Sequence, residues 1–281
     1  MAQFTNTAQL SYRGGVVNSN VAQGEVLEVY SAVKTAIRPL YTRGGDVTYA
    51  ISIVNAGATP LTGLTVTDNL GAYPFGQGTV YPLSYADGSI RLYVNGVLQS
   101  PAPTVTAGPP LLVSGLNIPA DGNAVLLYEA NVTPFAPLAQ GATIVNTATV
   151  SGEGFTAITA SETVAPEARP DLTISKCVDP VPVTENGRLT YTFLIQNYGN
   201  TAASADDNVI VTDTFDPVLS DLTVTLNGTA LTAGTQYTYT GGNFATAAGV
   251  ITVPAATFAQ DADGAWVISP GTATLTVTGT V

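Results

Sequence analysis

The chain has 281 residues, eight Lys and Arg against twenty Asp and Glu, and a formal charge of −12. Only 10% of its residues are charged, against roughly 25% in ordinary soluble domains. Its 45% hydrophobic content supplies a core and argues against disorder, and the length suits about two domains. With no His and a single Cys, a Cys/His zinc cluster, a Ser-His-Asp triad, a CxxC redox pair and an intramolecular disulfide are all excluded. So acidic a chain predicts neither nucleic acid nor an anionic membrane surface as partner, and no cofactor or metal is expected.

The first residues, Met1 to Gly15, lack both a basic start and the apolar run of a signal peptide, so no cleavable signal peptide is visible in this numbering; a leader already removed, export without one, and assembly inside a cell that later lyses all stay open. Nowhere does an apolar run reach the length of a membrane span, which predicts no membrane insertion. Phe4 to Tyr12 (FTNTAQLSY) carries the Asn-Thr-Ala pattern found again at Asn146 to Ala148, and Val16 to Val29 predicts a following strand. Val47, Tyr49, Ile51 and Ile53 then fall on one face of an extended strand, as do Leu189, Tyr191, Phe193 and Ile195, 142 residues further on. Asn55 and Asn197 keep the same offset. The match continues with Asp68 against Asp213 at offset 145 and Ala124 to Val132 against Ala273 to Val281 at offset 149. A repeat this long means two homologous domains rather than a solenoid.

Asn95-Gly96 and Asn227-Gly228 predict two-residue hairpins between β-rich flanks, and no segment carries a 3.6-residue stripe. The predicted fold is all-β: two tandem immunoglobulin-like antiparallel β-sandwiches plus an N-terminal donor-strand segment. Residues 1–31 form the donor strands, 32–165 the first sandwich, 166–170 a proline-bearing linker and 171–281 the second sandwich. The first sandwich continues past Val132 through strands at Ile144 to Ser151 and around Phe155 to Val164, whereas the second reaches its equivalent point at Val281. It therefore lacks two strands. From Asn6 to Lys34 is 28 residues and from Asn146 to Lys176 is 30, so the N-terminal segment is spaced like the tail of a preceding domain. The expectation is donor-strand complementation, in which Phe4, Asn6, Ala8, Leu10 and Tyr12 of one molecule complete the next in a head-to-tail homopolymer. Two plainer readings stay open: an edge hairpin on the first sandwich, or a fragment of a longer array.

Lysine occurs only at Lys34 and Lys176, and the two sit at the repeat offset. Burial would push such an amine toward its neutral, nucleophilic form, and a buried carboxyl toward its protonated form. The combination of a first-strand Lys, Tyr-x-Ile/Phe-x-Ile-x-Asn, Val-Thr-Asp-x-Leu/Phe and Asn-Thr-Ala-Thr-Val resembles the bacterial surface repeat called domain of unknown function eleven. That repeat is similar to collagen-adhesin-type sandwich domains, some of which form Lys-Asn isopeptide bonds beside a catalytic acid. The resemblance implies an intramolecular bond between Lys34 and Asn146 assisted by Asp68, and an intermolecular bond between Lys176 and a neighbour's Asn6 assisted by Asp213. Against it, lone lysines are commonly solvated, and a Val-Thr-Asp run also ends a strand in an Asp-stabilised turn.

Three smaller features complete the reading. Cys177 is either a buried small hydrophobe, the favoured option, or the former of an intermolecular disulfide. Asp261-Ala-Asp263-Gly264 opens like a calcium loop without the later ligands and predicts a hairpin turn. Tyr237 and Tyr239 are core residues or a small binding patch. The function expected is that of a non-enzymatic, self-assembling extracellular filament subunit, pilus-like or a spore appendage, at the cell or spore surface. The alternative is an adhesin or stalk module that binds a host protein or glycan.

Overall fold

In a computed structural model of the protein, residues 2–26, 30–153 and 156–281 are described. Among them the chain is strands, turns and one 3-10 turn, Ala205–Asp207. Of the strand expected around Phe155 to Val164, Ile158–Pro166 forms; Phe155, like Leu27 to Val29 at the tail of the expected N-terminal strand, lies outside the described residues.

Alternation decides the first sandwich. In Asp46–Asn55 every second residue from Val47 to Asn55 is buried, because successive side chains of a strand point to opposite faces. This strand pairs with Tyr30–Ala36 on one side and Gly122–Val132 on the other, in a six-stranded sheet. The facing six-stranded sheet runs from Thr104–Thr106 through Leu111–Ile118, Leu61–Asp68, Ile144–Ser151 and Ile158–Pro166 to Leu40–Tyr41. Between the sheets lies one core, with Tyr49, Ile51, Ile53, Leu126 and Tyr128 from one face and Leu64, Val66, Val113, Leu116, Ala148 and Val150 from the other. Burying each large aliphatic side chain contributes about 1.5–3 kcal/mol.

The second sandwich repeats the first sheet in the same register. Leu172–Asp179 pairs with Arg188–Asn197, and this with Gly271–Thr280. Lys176 lies opposite Phe193, as Lys34 lies opposite Ile51, and Phe193 lies opposite Leu275, as Ile51 lies opposite Leu126. Its core is separate and contains Phe193, Ile195, Phe215, Val224, Phe244, Leu275 and Val277. The facing layer is smaller, a three-stranded sheet in the order Thr212–Thr214, Asn243–Thr246, Tyr237–Thr240. Tyr237 is buried in this core against Phe244, and the Tyr239 hydroxyl accepts a hydrogen bond from the Leu219 amide, so both serve packing.

Both Asn-Gly hairpins form, with Asn95-Gly96 at φ of 48° and 79° and Asn227-Gly228 at 50° and 81°, the left-handed pair that a two-residue hairpin requires. The Asp261 turn carries no ion-binding geometry; its Oδ1 accepts the amides of Asp263 and Ala265, and Gly264 passes close against the Phe75 ring. Its hairpin reaches the first sandwich, where the Trp266 amide donates to the Pro134 carbonyl and Gln260 Nε2 to Tyr73 Oη.

The repeated asparagines have a structural job. Asn55 Nδ2 donates to the carbonyls of Thr59 and Pro119 while its Oδ1 accepts the Gly57 amide. Asn197 does the same with Thr201, Pro254 and Gly199, and its Oδ1 also accepts the Asp171 amide. Each buried asparagine thus ties a strand end to the loop that follows it and to a second segment, Pro119 in the first sandwich and Pro254 and Asp171 in the second. Asn55→Ala is expected to destabilise the first sandwich by about 3 kcal/mol, because the loop's amide and carbonyls lose their partners. Denaturant titration checks this: the first sandwich's transition midpoint falls and the second's stays, and Asn197→Ala reverses the pattern.

Candidate functional site

Lys34 projects from Tyr30–Ala36 into the core beside Tyr49 of the neighbouring strand and Tyr128 of the next. Its Nζ lies 4.6 Å from the Tyr49 ring centroid and 5.7 Å from that of Tyr128, and the two rings stack at 5.5 Å. From the opposite sheet Asp68 ends the strand Leu61–Asp68 with its Oδ2 2.5 Å from Lys34 Nζ. The two side chains are 0% and 1% exposed. Asp68 Oδ2 also accepts the Tyr128 hydroxyl at 2.6 Å, and Oδ1 accepts the Leu70 amide at 2.9 Å. Asn146, fully buried on Ile144–Ser151, donates from Nδ2 to Tyr128 Oη at 3.2 Å. Its Oδ1 has no hydrogen-bond partner, a state that costs about 1–3 kcal/mol in a core. Structure thus gathers the three residues Lys34, Asp68 and Asn146 within one hydrogen-bonded cluster.

Burial lowers the Lys34 pKa to about 8, outweighing the attraction of Asp68 and, more weakly, of Glu162. Near physiological pH the ammonium is still the main form, with a neutral minority far larger than an exposed lysine would have. Burial together with the Asp68 charge pushes the Tyr128 hydroxyl well above its ordinary value, and burial does the same to Tyr49. Both phenols stay protonated. A neutral amine held in a dry pocket with a carboxamide and proton carriers has the composition needed for amide exchange.

Lys176 makes the equivalent ion pair with Asp213, over the rings of Tyr191 at 4.4 Å, Phe215 at 5.3 Å and Phe193 at 5.5 Å. Here the two side chains are 39% and 18% exposed. The difference has a plain cause in topology. Asp68's strand has Leu111–Ile118 on one side and Ile144–Ser151 on the other, with Ala148 opposite Asp68 itself. Asp213's strand, Thr212–Thr214, pairs with Asn243–Thr246 alone. In the first sandwich Ile158–Pro166 also packs across the lysine strand, whereas Leu172–Asp179 is exposed along its whole length. Cys177 is exposed with it, contrary to the expected burial: Lys176 points inward, so its neighbour on the strand points outward.

Asn6 is not brought to this pair within the molecule. It lies exposed in an N-terminal hairpin whose strands, Ala2–Asn6 with Ala22–Val26 and Gln9–Tyr12 with Gly15–Asn18, pair only with each other among the described residues. The hairpin is therefore not an added edge on the first sandwich. It does reproduce the hairpin that closes that sandwich. Asn6 pairs with Ala22 and Asn146 with Glu162, each sixteen residues on. Phe4, Asn6, Ala8 and Leu10 match Ile144, Asn146, Ala148 and Val150 in order; the first set is exposed and the second buried. Tyr12, beyond them, is also exposed.

Sequence reasoning missed the two tyrosines. Tyr49 recurs as Tyr191 at the lysine offset, a signal available in the sequence, but Tyr128 enters through strand register alone, opposite Tyr49. In the second sandwich Val277 stands opposite Tyr191, and the Phe215 ring stacks on Tyr191 at 4.7 Å. Among the described residues no group of three or more His, Cys, Asp or Glu gathers as a metal site, and no helix is long and apolar enough to cross a membrane.

No protein-family model matches the sequence, and no curated protein matches it. Among solved structures, the pilus backbone protein of Streptococcus pneumoniae is similar at 12% identity and a TM-score of 0.35 over 90% of this chain, which spans half the length of that protein. The major pilin subunit of Bacillus cereus is similar at 14% identity and a TM-score of 0.36, covering 96% of this chain and 73% of that one. The collagen-binding subdomain of the Enterococcus faecalis surface protein ACE is similar at 10% identity and a TM-score of 0.31, covering 51% of this chain and 99% of that one. At such overlap nothing about this chain's role follows from them.

Proposed function

We propose that the protein is the structural subunit of an extracellular filament in which the N-terminal hairpin of each molecule completes the second sandwich of the next. The observation that carries this reading is the pairing of a free hairpin with an open edge. The hairpin copies the spacing and apolar alternation of Ile144–Ser151 with Ile158–Pro166, and the Thr212–Thr214 edge is the place where that hairpin has no counterpart. An uncovered strand edge leaves backbone groups unpaired and is an aggregation hazard unless a strand adds to it. Donor and acceptor are different surfaces of one chain, so the contact is heterologous and propagates into a filament unless the rotation closes a ring. Seated there, Asn6 takes Asn146's place against Lys176 and Asp213.

The chemistry of such a subunit is self-crosslinking rather than turnover. Lys34 attacks the Asn146 carboxamide with loss of ammonia, which locks the first sandwich, and Lys176 attacks the neighbour's Asn6, which locks the joint. Fixed proximity in a dry core supplies effective molarities of order 10⁵ M or more. Few lysines and a low charge density also leave little for trypsin-like proteases to cut, which suits an exposed fibre.

The full chain is expected to run as a ladder on denaturing gels after boiling, and Lys176→Ala to run as a monomer while still assembling under native conditions. Intact mass of that monomer lies below the sequence mass by one ammonia, and Lys34→Ala restores the difference; an unmodified mass in the wild type refutes the bonds. Deletion of residues 1–26 is expected to leave a monodisperse monomer by size exclusion, and a synthetic peptide of residues 2–26 to bind it. Lys34 also predicts a pH dependence in a chain kept bond-free by Asn146→Ala. Its folded amine releases a proton near pH 8 and its unfolded amine near 10.5, so the unfolded state binds more protons between those values and stability rises with pH. The gain is about 1 kcal/mol from about pH 7.5 to 9, read from denaturant midpoints, and Lys34→Met removes it.

A further inference from the structure

The first site holds a continuous hydrogen-bonded path from the nucleophile to the group that must leave. Lys34 Nζ donates to Asp68 Oδ2 at 2.5 Å, Tyr128 Oη donates to the same oxygen at 2.6 Å, and Asn146 Nδ2 contacts Tyr128 Oη at 3.2 Å. From these contacts we infer that Tyr128 is a catalytic residue of the Lys34–Asn146 reaction, handing a proton from Asp68 to the departing amide nitrogen. The inference rests on the self-crosslinking reading above and adds to it the group that completes the proton path.

The steps balance without a co-reactant. Lys34 enters as an ammonium with three protons and passes one to the Asp68 carboxylate. The freed amine bonds to Asn146 Cγ, giving a tetrahedral centre whose Nδ2 must gain a proton before it can depart. Asp68 touches the amine, and the hydroxyl of Tyr128 is the group that contacts Nδ2. Tyr128 gives its proton to Nδ2 and takes the one held by Asp68, so no phenolate accumulates. The Cγ–Nδ2 bond breaks, ammonia leaves, and Asp68 receives the second proton from Nζ as the amide forms. Of the three ammonium protons one stays on the new amide, one leaves with ammonia and one remains on Asp68.

The second sandwich supplies an internal contrast. Lys176, Asp213 and the flanking Tyr191 are all retained, yet Val277 occupies the register position of Tyr128 and the ring stacked on Tyr191 is Phe215, which has no hydroxyl. Phe215, at the position of Leu70 in the first sandwich, supplies the stacked ring, and no hydroxyl takes the place of the Tyr128 hydroxyl. The joint between subunits would lock more slowly than each subunit's own bond, leaving time for hairpins to exchange before capture.

The test is time-resolved intact-mass spectrometry on the full chain made by cell-free synthesis, in wild type and Tyr128→Phe, each carrying Lys176→Ala so that one bond is followed. Near-ultraviolet circular dichroism verifies that Tyr128→Phe retains native packing. Loss of ammonia is expected to be about 100-fold slower in Tyr128→Phe, the size of a removed general acid. It is also expected to lose the slowing that heavy water imposes on the wild type, a change that a packing role would not produce. A folded Tyr128→Phe chain that crosslinks at the wild-type rate overturns the relay while leaving the bond intact. A wild-type chain that never loses ammonia overturns the crosslinking reading itself.

Discussion

An edge of a β-sheet needs a partner, and the two sandwiches meet that need differently. In the first, the hairpin of Ile144–Ser151 and Ile158–Pro166 lies against the Asp68 strand and seals Lys34 and Asp68 from water. In the second, the corresponding strand pairs on one side alone and its lysine stays open to solvent. The first sandwich's hairpin packs across its lysine strand and carries Asn146 into the same cluster through Tyr128. The hairpin at the N-terminus has the same construction, and among the described residues its strands join no other sheet.

Covering the edge changes chemistry as well as stability. A lysine beside a carboxylate at a wet surface is a weak, screened ion pair. The same pair sealed in a core is costly, and the amine is pushed toward the neutral form in which it can attack. Closure and activation are therefore one event: the strand that shuts out water brings the carboxamide with it. In the proposed filament a joint built this way would react after docking and not before, so that a solitary subunit would keep its lysine.

Much of this was legible in the sequence because period-two alternation survives in both repeats. Val47 to Ile53 and Leu189 to Ile195 announced the same strand twice, and the offset of Lys34 and Lys176 marked equivalent places before any contact was known. Asn6 and Asn146 were linked by their Asn-Thr-Ala context, and the hairpin pairing sixteen residues on adds an independent match. Tyr128 was not legible, since its place in the cluster follows from lying opposite Tyr49 across a ladder whose register the sequence does not carry. Cys177 failed for a related reason: its burial depended on which face of the strand its neighbour Lys176 had taken.

Electron microscopy of the purified full-length protein tests the central claim most directly. The account predicts filaments whose axial repeat spans two sandwiches, with hairpin density seated beside Thr212–Thr214 of the preceding subunit. Single particles at high concentration, or filaments in which that edge is bare, would contradict it.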